Sequence, residues 1–369
     1  MREALIRFIV KHPWVTAATA AMFAGITAAL VAVTGVMPIR ASSGHWPITA
    51  RLLDFAKVQS VKTYSIGIDA PPLDDDALVM RGARHYDLGC SPCHGSPAAA
   101  VPPVMQAMTP PPPELRGEHV TRWTPEQLFS IVKHGIKFTG MPGWPVQQRD
   151  DEVWALVAFL RRLPEMDGPA YQRLAAGGTS PPLPLAAGLD APRPVRDVCW
   201  RCHGPDGTSS DGGAFPSLAG QRASYLDAAL RSFASRNRFS GTMVEIASKL
   251  SGEEIREISA YYQRLPPRVA APSPATADGH AIATMGVVER EIPACIECHG
   301  PSAAPKNPAY PILAGQHAPY LVRQLELLKQ RRRGGSPRVN IMHAVVDRLT
   351  AGEIRAVARY YESLNAFGQ

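Results

Sequence analysis

The chain has 369 residues, 36 of them proline and only 7% aromatic, with a formal charge of +7. That length holds two or three ordinary domains, and the proline content favours short helices between loops over one large sheet. Apart from Arg331-Arg332-Arg333 the basic residues are scattered, not gathered in the stripe a nucleic-acid partner needs, and no nucleic-acid partner is expected.

The first element in chain order is apolar. Trp14 to Val36 holds 23 residues without a formal charge, enough to cross a bilayer core of ~30 Å as a helix. Arg2, Arg7 and Lys11 precede it, so the positive-inside bias makes residues 1–37 a cytoplasmic N-terminus and transmembrane anchor. A cleaved signal peptide, cut near Ala41, is the alternative. Its apolar core is usually only ~7–15 residues, which favours the retained anchor. Residues 38–75 read as a juxtamembrane linker. Within it Ile48, Leu52 and Phe55 share a helical face, fitting either a helix at the bilayer surface or a plain ordered connection.

Three units follow, at 76–168, 186–268 and 283–369, joined by linkers at 169–185 and 269–282 in which Ala175 to Pro184 and Ala270 to Gly279 are rich in Pro, Ala, Gly and Ser. In the first, Ala77 to Tyr86 predicts a helix carrying Gly82 and Tyr86. Thr124 caps a second helix with Pro125 at its first position, and Asp150 to Leu160 forms a third with an acidic start. The second and third units repeat each other. FPSLAGQRASYL (Phe215 to Leu226) matches YPILAGQHAPYL (Tyr310 to Leu321), and LSGEEIREISAYY matches LTAGEIRAVARYY. Ser251 with Glu254, and Thr350 with Glu353, predict capping boxes, and Ile255, Ile258 and Tyr262 mark an apolar helical face.

All six cysteines fall in three CxxCH motifs: Cys90, Cys93 and His94; Cys199, Cys202 and His203; Cys295, Cys298 and His299. A structural zinc site needs a further ligand pair at matching spacing, which no copy has. A thioredoxin-like pair needs a strand–helix setting and no adjacent histidine. A disulfide across two residues would constrain little. Covalent haem uses every residue of the motif: two sulfurs take the vinyl groups and the histidine takes the iron. A second axial ligand is then expected in a loop before each closing helix. Met141, Met243 and Met342 stand 47, 40 and 43 residues after His94, His203 and His299. Single methionines near helices are usually core, but three in register point to iron. His343 competes with Met342 but faces another direction. His85, His119, His134 and His317 read as surface or structural histidines.

Each unit resembles a class I c-type cytochrome, a small all-α domain with CxxCH after its first helix and a methionine loop before its last. The second and third resemble the tandem modules of dihaem high-potential periplasmic cytochromes, through LAGQ and the tyrosine pattern. The first resembles the single-haem domains with a GMPGW loop found in membrane-attached respiratory chains. One departure stands out: no Gly-and-aromatic helix precedes Cys199, so the second unit is expected to pack that side differently, against a neighbouring unit.

The resemblance implies an all-α chain of three small cytochrome c domains in tandem after a transmembrane helix, carrying three covalent haem c groups. Haem propionates would bring the net charge to about +1 reduced and about +4 oxidised. His/Met ligation leaves no open position on iron and raises its potential, which suits a relay better than a catalyst. The expected role is single-electron transfer from a dehydrogenase or quinol-oxidising complex to a terminal oxidase or soluble carrier. The expected location is the bacterial inner membrane, spanned once, with the haem domains in the periplasm. A peroxidase-like haem enzyme with one open site, and a sensor or assembly factor using haem structurally, are the alternatives.

Overall fold

The computed structural model describes residues 10–36, 40–175, 190–209, 212–269, 277–301, 306–335 and 339–365. Among them the chain is helical, with isolated β-bridges in place of strands. Helix α1 (Pro13–Thr34) is long and apolar enough to span a membrane and buries none of its residues in the rest of the chain. The basic Arg2 and Arg7 lie outside the described residues, as do the parts of the expected linkers at 176–185 and 270–276.

Helix α2 (Pro47–Tyr64) occupies much of the expected juxtamembrane linker. Ile48, Leu52 and Phe55 are all more than 60% exposed, while Val58 and Val61 near its other end pack on the first core. That core is built by α3 (Asp76–Gly89), α4 (Pro125–His134), α5 (Asp150–Arg162) and α6 (Gly168–Ala175). Thr124 and Gln127 form a reciprocal capping box at the start of α4. Helices α3 and α5 lie so close that a methyl group on Gly82 would enter the Ala155 carbonyl. Tyr86, Phe159 and Tyr171 fill the space beside them.

The repeated halves fold alike. Helix α7 (Ala223–Ala234) packs on α8 (Gly241–Ala247) and α9 (Gly252–Arg264). After α10 (Ala277–Met285), α11 (Ala318–Lys329) packs in the same way on α12 (Val339–Asp347) and α13 (Ala351–Glu362). Both expected capping boxes form, Ser251 with Glu254 and Thr350 with Glu353. Ile255, Ile258 and Tyr262 face inward together.

Two boundaries differ from expectation. Helix α6 falls in the expected linker 169–185, yet Tyr171 is buried and donates to Asp87 at 2.7 Å, so the first core extends to Ala175. Helix α10 falls mostly in the expected linker 269–282, yet Ile282 and Ala283 are buried against α13. Gly and Ala mask these helices in composition; what makes them is burial against a partner distant in sequence. Among the described residues the second half shows no counterpart of α3 or α10 before Cys199, only a short π-helix at Val195–Cys199. Cys202, Ala214 and Phe215 are covered by Ala77 and Met80 of α3 instead, and Arg84 of α3 donates to the Cys202 carbonyl at 3.2 Å. The neighbouring unit does supply the missing cover.

Gly82→Ala is expected to cost about 3 kcal/mol, because backbone carbonyl cannot yield as a side chain can. Loss of a cap in Ser251→Ala or Thr350→Ala should cost only about 1 kcal/mol each. Thermal denaturation of the three variants under identical conditions checks the order; equal losses would mean that α3 and α5 tolerate separation.

Candidate functional site

Each CxxCH closes a single helical turn: Ser91–His94, Trp200–His203 and Ile296–His299. The turn brings the histidine just past its cysteines and lets the chain reverse at Gly95, Gly204 and Gly300, all at positive φ. In every copy the histidine Nδ1 meets a proline carbonyl: His94 with Pro113 at 2.8 Å, His203 with Pro216 at 3.0 Å, and His299 with Pro311 at 3.0 Å. A carbonyl can only accept, so Nδ1 carries the proton and the Nε2 lone pair is left for a metal. Burial pushes His203 down to about 4 despite that bond, and lowers His94 and His299 as well. The rings are neutral, as iron ligation requires.

No two of the six cysteines are joined in a disulfide in this structure, which weighs against the staple reading. Burial pushes Cys90 up to about 12 and Cys199 and Cys295 to about 11, opposite to the depressed values of redox-active CxxC pairs. Among the described residues no three His, Cys, Asp or Glu side chains converge as a cage for a metal ion.

A continuous cavity of about 380 Å³ runs between the second and third units. Cys199, Cys202, His203 and Met243 line it, and so do Cys295, Cys298, His299 and Met342. Met243 and Met342 were expected in loops; both lie inside helices, α8 and α12, whose first turns present them to the cavity. His343 is not part of the wall. The first set lies outside this cavity. Cys90 packs on the first core, and Met141 sits in a true loop, its carbonyl accepting from Ile136 N at 3.1 Å and its N–H donating to Thr139 Oγ1 at 3.1 Å.

Charge in the cavity wall is one-sided. Arg81, Arg149, Arg238, Arg323 and Arg333 line it against one carboxylate, Glu152. Arg81 is 6% exposed and its Nε has no hydrogen-bond partner among the described residues. Burial, and then neighbouring Arg81, push Arg323 down to about 9. Arg238 reaches two equivalent tyrosines, Tyr225 and Tyr320, both at 3.3 Å. Buried cations in excess call for anions. A flat apolar group with carboxylate arms, attached through two sulfurs and an imidazole, fits this wall.

The matches to known proteins agree. Residues 77–160 match the family described as cytochrome c oxidase, cbb3-type, subunit III. A thiosulfate dehydrogenase electron acceptor from Thiomonas intermedia is 37% identical over 171 residues, 45% of this chain and 78% of the relative. The chain belongs to the cytochrome c family. A cytochrome c4 from Thiocapsa roseopersicina is 34% identical over 46% of this chain and 88% of its own length. The solved structure of reduced recombinant cytochrome c4 from Pseudomonas stutzeri is 30% identical, covers 46% of this chain and 94% of that one, and gives a TM-score of 0.43.

Covalently bound haem c is therefore the cofactor of this cytochrome; when bound it supplies a one-electron iron couple. The chain's own part is to keep the imidazoles neutral and to line the cavity with guanidinium groups that would meet carboxylates the cofactor brings. Sequence reasoning missed that last part, and it missed Pro113, Pro216 and Pro311. The repeated aromatic-Pro pair at 215–216 and 310–311 was the available signal for two of the prolines.

Arg323→Leu removes one cation from the wall, and ferric iron carries one more positive charge than ferrous. The oxidised state should gain, lowering at least one midpoint potential by roughly 59 mV per tenfold change in the oxidised-to-reduced ratio. A spectroscopic redox titration reads this; identical titrations for wild type and variant would mean the guanidinium is screened from iron.

Proposed function

We propose that the chain is a membrane-anchored trihaem cytochrome that relays single electrons in a respiratory chain, with haem domains at 76–168, 186–268 and 283–369 widened to include α6 and α10. His94 with Met141, His203 with Met243, and His299 with Met342 are the axial pairs of this reading, and the six cysteines are its thioether anchors. The observation that carries it is the threefold recurrence of a CxxCH turn whose imidazole Nδ1 is tied to a proline carbonyl.

The shared cavity supports closely spaced second and third haems. Helix α1, preceded by basic residues, supports a single inner-membrane pass with the haem domains in the periplasm. The names of the relatives point to a dehydrogenase as electron donor, with thiosulfate as the source of electrons in this reading. A terminal oxidase or soluble carrier is the acceptor in this reading. The protein is then an electron carrier whose irons are closed to exogenous ligands.

Pyridine haemochrome analysis with intact mass should give three covalent haems in a protein that stays in the membrane after high-salt washing. A count of two in fully matured protein overturns the trihaem reading. Wild-type protein should bind no carbon monoxide, and Met243→Ala should gain binding at one haem. Stoichiometric binding by wild type would favour the open-site haem enzyme instead.

A further inference from the structure

One carboxylate connects the methionine segments of the first two units. Glu152 is the third residue of α5 and only 2% exposed. Its Oε2 accepts from Trp144 Nε1 at 3.0 Å and from Gly241 N at 2.7 Å. Its Oε1 accepts from Ser240 Oγ at 2.7 Å and pairs with Arg149 Nη1 at 3.0 Å. Every partner is a donor, so a full carboxylate satisfies all four and a neutral isostere cannot.

Both ends of this junction lead to methionine. Trp144 stands three residues after Met141 in the same loop, and its own N–H is held by the Lys133 carbonyl at 2.9 Å. Ser240 is the N-cap of α8, and with its hydroxyl proton committed to Glu152 its oxygen accepts from Met243 N at 3.2 Å. Gly241 is required for the fit, since a Cβ there would run into the Trp144 indole. The indole also stacks on His85 at 5.9 Å; His85 meets Phe215 edge-on at 6.3 Å, and Phe215 meets His203 at 6.4 Å. Arg149 adds a second tie by donating to the Phe239 carbonyl. The first unit thus reaches both the methionine side and the histidine side of the second site.

We infer that Glu152 is a positioning residue that sets the methionine segments of the first and second haem sites together, so that ligation at the two irons is coupled while the third is independent. This rests on the reading that Met141 and Met243 are axial ligands. The carboxylate touches neither sulfur; it acts through Trp144 on one side and through Ser240 on the other.

The test uses the full-length holoprotein extracted from membranes. Glu152→Gln turns an amide NH₂ toward groups that are themselves donors. The near-infrared sulfur-to-ferric charge-transfer band should weaken by about a third to two thirds. Two midpoint potentials should fall, each by the equivalent of about a tenfold change in the oxidised-to-reduced ratio, and the third should stay. Ser240→Ala should move one potential alone, and Trp144→Phe, which keeps the ring and loses the donor, should move a different one. These two variants also carry the test if Glu152→Gln does not accumulate. With three haems present, unchanged bands and potentials in Ser240→Ala and Trp144→Phe overturn the coupling, as does an equal shift of all three potentials. Met141→Ala and Met243→Ala serve as controls: if neither alters the charge-transfer band, the axial reading fails and not merely the coupling.

Discussion

Guanidinium groups facing an apolar cavity are the constraint around which this fold is arranged. Taking an ion out of water costs several kcal/mol unless a counter-ion and hydrogen bonds meet it. Arg149 is met within the protein: burial works against its charge, but Glu152 and Asp151 outweigh that and hold its pKa above the ordinary value. Burial, with Arg81 beside it, outweighs the pull of Asp151 on Arg323 and lowers it, and burial lowers Arg333 as well. The wall is thus prepared for a cofactor that brings its own carboxylates. A fold of this kind is stable when loaded, since a ligand bound only by the native state adds its binding free energy to folding.

The repeated halves are locked by the same two residues used reciprocally. Gln221 donates to the Ile312 carbonyl at 3.0 Å and accepts from Ile312 N at 3.0 Å. Gln316 donates to the Ser217 carbonyl at 3.0 Å and accepts from Ser217 N at 2.9 Å. Each glutamine ends the LAGQ of one half and completes the backbone of the other half's FPSL or YPIL. The adjoining prolines, Pro216 and Pro311, hold the histidines of their own halves. One short motif therefore orients the imidazole and docks the partner half, which explains why it is the best-preserved stretch of the internal repeat.

Local signals in the sequence were legible because their physics is local. Caps at Thr124, Ser251 and Thr350, the acidic start of α5 and the apolar run of α1 all depend on residues within a turn or two. The spacing of Met243 and Met342 after their histidines marked each as the ligand candidate of its own unit, though their helical setting was hidden: GTMVEIA and VNIMHAVVD are too short to show helical period. Interactions between units left no mark in a single sequence. Glu152 reads as one more acid at a helix start, and Arg81 and Arg323 read as surface cations. Their meaning comes from partners roughly seventy to two hundred and forty positions away, which spacing rules cannot reach.

The departure noted before Cys199 ties these threads together. In the first and third units the initial helix, α3 or α10, braces the closing helix, α5 or α13. Among the described residues the second unit shows no such brace and takes its cover from α3, whose other face already packs on α5. One helix thus belongs to two cores, and Asp87 near its end holds Tyr171 of the first unit and Arg201 of the second, the latter at 3.2 Å. Arg332 closes the circuit from the third unit to Asp150 at 2.8 Å. A helix shared in this way cannot swing out without opening both cores. The first unit is therefore not a bead on a string ahead of a tandem pair, but part of the wall that pair requires.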